Sequence, residues 1–360
     1  MSDPARAALE DAFSRHRLRR RLILIAGVVV LICAVLASTG MGVQPLSPGQ
    51  SARALLAPLL PPQWLGDLSQ LQIDVVQKLR APRTLLAAIG GASLALAGAA
   101  LQGITRNALV SPFTLGISSA AAFGASVAIL AGWSEWAGLG PWWTVTAAFA
   151  CALFCAVLVL GFSAMRGVTS MMLILGGVGL NYLFSAATTT MQFIATEQQL
   201  AAIIQWTFGS LNGASWLEVL IVGLILLVVA PVLFGHAWAL NAFAAGGDEV
   251  AASLGFSVKR TRMLVTLGAV LLTAGIVSFA GVIGFVGLVA PHIARLLIGG
   301  DHRVFLPFAA VTGAVLVVVA DLIGRTLFAP VIIPVGIVVA YLGVPLFLHL
   351  LIRRRREMML

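Results

Sequence analysis

Charge is what this sequence has least of. Lys, Arg, Asp and Glu make up 10% of its 360 residues, against about 25% in a soluble domain. Hydrophobic residues reach 60% and the mean hydropathy is +1.04. A soluble fold of this length could not hide so much apolar surface, so lipid must be the solvent for most of the chain. Lysine occurs only as Lys78, followed by Leu79, and Lys259, followed by Arg260. A Walker A loop needs Gly before its Lys and Ser or Thr after it, so the chain cannot hydrolyse ATP alone. The five His residues are scattered and form no HExxH pair. Cys33, Cys151 and Cys155 all lie in apolar stretches and read as packing residues, which leaves no metal or redox constellation. No catalytic, cofactor-binding or metal-ligating residues are assigned.

What is present is a series of long apolar runs. About 20 such residues cross a hydrocarbon core. Candidate spans fall at 22–40, 84–103, 113–132, 142–162, 171–192, 216–235, 263–280, 284–298, 305–325 and 334–352. The pattern predicts an all-α polytopic membrane protein of about ten transmembrane helices. The eighth run is short and reads as a partial helix tucked inside protein, because irregular backbone cannot face lipid. The run after Arg19, Arg20 and Arg21 exceeds a signal peptide's apolar core and reads as an uncleaved first span.

Ten spans put both termini on one side. That side collects seventeen of the 22 Lys and Arg. They are Arg6, Arg15, Arg17, Arg19, Arg20, Arg21, Arg106, Arg166, Lys259, Arg260, Arg262, Arg295, Arg303 and Arg353 to Arg356. The other side holds Arg53, Lys78, Arg80, Arg83 and Arg325. The positive-inside rule makes the crowded side cytoplasmic. It follows that 1–21 is a basic cytoplasmic segment, 22–352 the transmembrane domain and 353–360 a basic cytoplasmic tail. Within the domain, 41–82 is an outer loop and 236–262 a cytoplasmic loop. The net charge of +9 is then topology charge; no basic face is interleaved with aromatics, so no nucleic-acid partner is implied. Trp133, Trp136, Trp142 and Trp143 suit an interfacial belt at an outer turn.

Two stretches resemble each other: Pro112 follows Arg83 by 29 residues, and Pro291 follows Arg262 by the same interval. The first starts outside and the second inside, which is the mark of an inverted-topology repeat. Gly and Ala crowd the second span from Gly90 to Ala100, as close helix packing in lipid requires. In the 236–262 loop, Gly246 and Gly247 divide two helical pieces, Trp238–Ala245 and Asp248–Leu254. Asp248 and Glu249 suit a helix start and Gly255 its end. Such a hairpin could dock in a groove of a cytoplasmic partner, or rest on the membrane as an amphipathic connector. Asp321 is the acidic residue that lies clearly within a span, and Arg325 one turn on can pair with it.

These residues together resemble the permeases of type II ABC importers, the FecCD-type family of ferric-siderophore, haem and cobalamin uptake. The matching pieces include Arg80-Ala81-Pro82-Arg83-Thr84, Gln102 to Asn107 and Ser111 to Gly116. Gly209-Ser210-Leu211 with Trp216, and Gly247-Asp248-Glu249 with Ser253-Leu254-Gly255, come next. Gly284 to His292, Asp301-His302-Arg303, Ala320-Asp321 with Arg325 and Ile333 to Gly336 complete the set. Ala108 and Ile332 depart from the family's usual Pro and acidic residue.

The resemblance implies a complex of two permeases, as two copies or a copy with a paralogue, and two cytoplasmic ATPase subunits that bind the ATP. A periplasmic or tethered binding protein would deliver the ligand. Gly247, Asp248, Glu249, Ser253, Leu254 and Gly255 would form the coupling hairpin facing the ATPase. Arg80 and Arg325 would pair with carboxylates of the binding protein, although Arg80 could instead anchor a helix end and Arg325 serve Asp321. Gly179 and Asn181 are candidates for the translocation path. Ferric siderophore is the first expectation for the ligand, with haem, cobalamin or an oxyanion such as molybdate open. The competing reading is a secondary transporter using Asp321 for ion or proton coupling without ATP. A membrane enzyme finds no supporting constellation.

Overall fold

The computed structural model describes residues 3–42, 45–132, 140–165 and 170–357. Trp133, Trp136 and Arg166 lie outside them, as do the side chains of Arg6, Arg15, Arg17 and Arg353 to Arg356. Every regular element among the described residues is helical. Helix α1 (Asp3–Gly40) leads through α2 (Pro48–Leu55) to α3 (Gln70–Val75), a π-turn (Val76–Arg80) and α4 (Ala81–Thr105). Then come α5 (Ile117–Leu130), α6 (Trp142–Met165), α7 (Ser170–Ile194), α8 (Glu197–Thr207) and α9 (Trp216–Gly235). The chain continues with α10 (Ala237–Ser253), α11 (Val258–Ala280), α12 (Val286–Ile298), α13 (His302–Thr326) and α14 (Val335–Glu357). Among the described residues, 7 helices are long and apolar enough to cross a membrane, and Ile117–Leu130, Val286–Ile298 and Val335–Leu348 are shorter apolar helices.

Boundaries depart from the hydropathy reading, and three departures bear on the sites. The expected cytoplasmic segment, from Asp3 on, and the span 22–40 share one helix, α1, because hydropathy marks where lipid begins and not where a helix does. The expected 113–132 span yields only the 14 residues of α5. Arg106 turns left-handed at φ 53°, Pro112 follows, and Gly116 takes φ 78°, so the chain between is non-helical. The outer loop 41–82 ends inside a helix. Ser69 caps α3 reciprocally with Gln72, and α3, the π-turn and α4 run on as one helical rod, Gln70–Thr105. Arg80 therefore sits within a rod rather than at a loop end.

Burial sorts the helices into a centre and a periphery. In the long rod containing α4, 83% of the most apolar stretch is buried, and in α11 72%; in α1 and α9 the shares are 17% and 22%. The peripheral helices carry exposed Leu22, Ile25, Val157 and Leu227, surface that only lipid or a partner helix would satisfy. Central α4 packs on α9, α11, α12 and α13, while α5 packs on α6 and α7.

The centre depends on backbone meeting backbone. A Cβ built on Gly98 would strike the carbonyl of Gly287, and Gly91 and Gly313 block each other in the same way across α4 and α13. Without a hydrophobic drive between helices in lipid, this close approach supplies the packing energy. Gly98→Ala is expected to lower stability by about 1–3 kcal/mol, since no side chain can move aside. Gly161→Ala meets nothing within 4 Å and should instead gain about 0.5–1 kcal/mol of helix propensity. Thermal unfolding in detergent reads both signs; equal shifts would refute this packing.

Candidate coupling, docking and pathway sites

Two polar clusters lie at opposite ends of the bundle. At one end, α4 brings Arg83 against Asp321 of α13. The Arg83 Nε donates to Asp321 at 2.9 and 3.2 Å, and its Nη1 donates to Asn212 at 2.7 Å. Arg325, one turn beyond Asp321, donates to the same carboxylate at 3.0 Å and to the Ser38 carbonyl and hydroxyl at 2.9 and 2.7 Å. Ser38 also bonds Thr84 at 2.9 Å. Arg80 donates to the carbonyls of Thr39 and Gly40, each at 3.1 Å.

Three guanidiniums thus gather around one carboxylate, Asp321, which is only 1% exposed and is shared by Arg83 and Arg325. The excess positive charge is met by the last carbonyls of α1, the negative end of that helix's dipole. A cavity of about 550 Å³ opens beside them, lined by Lys78, Arg80, Arg83, Asn212, Trp216 and Arg325 among others. The i,i+4 pair of Asp321 and Arg325 was legible in the sequence. Arg83, 238 residues from Asp321, was missed as its partner, because nothing local signals so distant a pair.

At the other end, α10 bends at Gly247 (φ 78°, ψ −153°) into a hairpin. Its second limb closes with Gly255 at φ 86°. The Phe256 N–H reaches the Ala251 carbonyl and the Gly255 N–H that of Ala252, both at 3.0 Å, a Schellman closure. Phe256 packs with the Ala251 cluster beneath. The fully buried Arg262 donates to Asp248 at 2.7 Å and lies 5.7 Å from the Phe243 ring centre, tying the base of the hairpin to α11. Glu249, Ser253, Leu254 and Gly255 are exposed, whereas Gly247 is buried and Asp248 half-buried. The sequence places Arg262 among the cytoplasmic cations and at the start of the second repeat copy; the structure adds its bond to Asp248.

The path candidates lie between these ends. The Asn181 Oδ1 accepts from the Ser119 hydroxyl at 2.5 Å. Gly179 is exposed with open space around it; the glycine of close approach on α7 is Gly177, seated on Leu115. A recess of about 180 Å³ is lined by Ser118, Ser119, Ser185, Thr188, Thr189 and Gln192 with others. It shares Phe113, Thr207 and Val282 with an apolar cavity of about 790 Å³ that also includes Phe208, Phe285, Gly336 and Tyr341. Gly336 approaches the Phe208 and Val282 carbonyls, so sequence motifs far apart in the chain meet at one wall.

A membrane bundle with an apolar cavity, a protruding hairpin and a basic recess at the far end defines a multi-pass transport permease. The chain belongs to the FecCD transport family, which it matches over residues 29–353. It is 38% identical over 342 residues to the cobalamin import system permease protein BtuC of Halobacterium salinarum, covering 94% of this chain and 89% of that one. It is 34% identical over 341 residues to the hemin transport system permease protein HmuU of Yersinia pestis, covering 95% and 98%. A solved transporter described as of the metal-chelate ABC type, in an inward-facing conformation, superposes with a TM-score of 0.80 at 32% identity, covering 92% and 99%. These relatives are ABC permeases, membrane subunits that are not enzymes by themselves.

Proposed function

We propose that the chain is a permease subunit of an ATP-driven importer in a bacterial or archaeal plasma membrane. With a second copy or a paralogue it forms the path for a ferric siderophore or similar chelate; haem, cobalamin and molybdate belong to the same range. The observation that carries this reading is the pair of unlike sites at opposite ends of the helix bundle. The hairpin presents Glu249, Ser253, Leu254 and Gly255 to a partner, with Leu254 62% exposed. An apolar knob on a capped hairpin suits a groove in a separate ATPase, which binds the ATP. The opposite recess concentrates cations where an acidic receptor would dock.

In this reading both termini are cytoplasmic, on the hairpin's side, and the three shorter apolar helices complete ten membrane segments around the seven long ones. The inverted repeat is supported by parallel geometry. Buried α4 and α11 each end at a left-handed or positive-φ residue, Arg106 and Gly281, followed by non-helical chain. Each is then succeeded by a short helix opening on a positive-φ residue, Gly116 or Phe285. Two ATPase subunits gripping the hairpins would switch the path by alternating access. The neutral hydroxyl and apolar lining suits passage of a bulky ligand without a tight polar cage.

The secondary-transporter reading is disfavoured by Asp321 itself. Both its oxygens are engaged by arginines, Arg83 buried and Arg325 half-buried, so cycling a proton there would break the network at every turnover. For receptor docking, Arg80→Glu and Arg325→Glu are expected to weaken binding of the cognate receptor at least about tenfold. Arg53→Glu, on the same side but paired with Asp67 outside the recess, should leave it unchanged. Titration of receptor against nanodisc-embedded permease checks this; unaltered affinity at Arg80 and Arg325 would assign both arginines to folding alone.

A further inference from the structure

The hairpin end holds a second cluster that the family reading leaves without a role. Asp301 caps α13, accepting from the Arg303 N–H at 3.2 Å. Its carboxylate also accepts from Asn241 of α10 at 2.9 Å, from the Arg303 guanidinium at 2.7 to 3.2 Å, and from Arg20 of α1 at 3.5 Å. Asn241 returns a bond: its Oδ1 accepts from the His302 N–H at 2.8 Å. His302 is 1% exposed and rests on Gly103 of α4, where a Cβ would come within 2.8 Å of its Nε2. The Arg303 guanidinium stacks over Trp238 of α10 at 4.2 Å. Four segments, α1, α4, α10 and α13, therefore meet at Asp301 and its neighbour.

Three of those four meet again at the far end. α1 supplies Ser38, α4 supplies Thr84 and Arg83, and α13 supplies Asp321 and Arg325 to the arginine network. Midway, Gly91 of α4 and Gly313 of α13 touch backbone to backbone. The 25 residues of α13 make a rod of roughly 37 Å. Rods pinned by polar bonds at both ends cannot slide past each other without breaking them, and the buried arginine network at the far end has no water at hand to replace its bonds. Arg303 and Asn241 hold the Asp301 carboxyl well below the usual carboxylate range, so it stays ionised for these bonds.

We propose that Asp301 is the positioning residue that fastens the coupling hairpin to the α1–α4–α13 raft, and that this raft carries the nucleotide-driven movement as one body to the arginine network at the receptor face. The inference rests on the reading of the hairpin as the ATPase contact. It assigns Asp301 and Asn241 a part in transmission, not in ligand binding or ATP hydrolysis.

The test uses the full permease–ATPase complex in nanodiscs. A reporter is placed at the far end by Lys78→Cys, a rim side chain 71% exposed, with Cys33, Cys151 and Cys155 replaced by alanine. The rate of labelling by a membrane-impermeant maleimide is measured with and without trapping by ATP and vanadate. Trapping should change the rate about tenfold in the parent, within the range for coupled sites. Asp301→Ala and Asn241→Ala should shrink that change to under about twofold and abolish stimulation of hydrolysis by the receptor, while basal hydrolysis persists. Bridging Asn241→Cys to Asp301→Cys, without the Lys78 reporter, with a short bifunctional thiol reagent should restore receptor-stimulated hydrolysis.

Variants that keep the parent's full response overturn the proposal. So does loss of assembly or hydrolysis in both, which would assign the cluster to folding, or a parent that hydrolyses ATP with no change at the reporter. A parent that recruits no ATPase would instead sink the reading of the hairpin.

Discussion

Replacing Asp321 by alanine is expected to cost the permease about 3–5 kcal/mol, the penalty for leaving buried charge without its partner. Total stabilities run to about 5–15 kcal/mol, so the variant should unfold on extraction or melt far below the parent. Arg83 and Arg325 have side chains only 10% and 12% exposed, and Asp321 is the one carboxylate they share. Arg325→Ala should cost less, because Asp321 keeps Arg83. Asp321→Asn should fall between, retaining some hydrogen bonding but not the charge. Thermal unfolding of the purified variants ranks them. A fully stable Asp321→Asn protein that has lost transport would revive Asp321 as an ion-coupling site and contradict the structural role given to it here.

Arg262→Ala should uncouple the protein from its motor. The guanidinium is fully buried, and its bond to Asp248 and its place beside Phe243 hold the hairpin's base. A hydrogen bond to a charged group contributes about 1.5–3 kcal/mol, and 1.4 kcal/mol is about tenfold in an equilibrium. Recruitment of the ATPase should therefore weaken by at least about tenfold, with the membrane domain still inserted. Arg260→Ala, two residues away and exposed, should change recruitment little. Co-purification of the ATPase with each variant measures the difference. Equal retention would mean that the Asp248–Arg262 pair does not set the hairpin's shape.

How much of this was legible beforehand depended on whether the signal was local. Apolar run length marked the long helices, and Gly246-Gly247, Asp248 and Gly255 marked the bend and end of the hairpin within one short stretch. Asp321 and Arg325 are four apart, so helix geometry alone joined them. For Arg20, Arg80, Arg83 and Arg262 the sequence offered a side of the membrane, a docking or helix-end role for Arg80 and a repeat position for Arg83 and Arg262, but no bonding partner. Each instead bonds a group far along the chain, Asp301, Gly40 or Asp321, or reaches back across the hairpin to Asp248. Hydropathy carries no record of such pairings. The same limit explains 113–132: its apolar composition predicts a full span, while Pro112 and Gly116 impose a break that composition cannot weigh.

The most direct test of the importer reading is uptake into proteoliposomes holding the permease with its ATPase and receptor, using radiolabelled ferric siderophore, haem and cobalamin in parallel. The expected result is accumulation of one of them that requires ATP and both added subunits and is indifferent to a proton ionophore. Uptake by the permease alone, abolished by the ionophore and untouched by ATP, would contradict it.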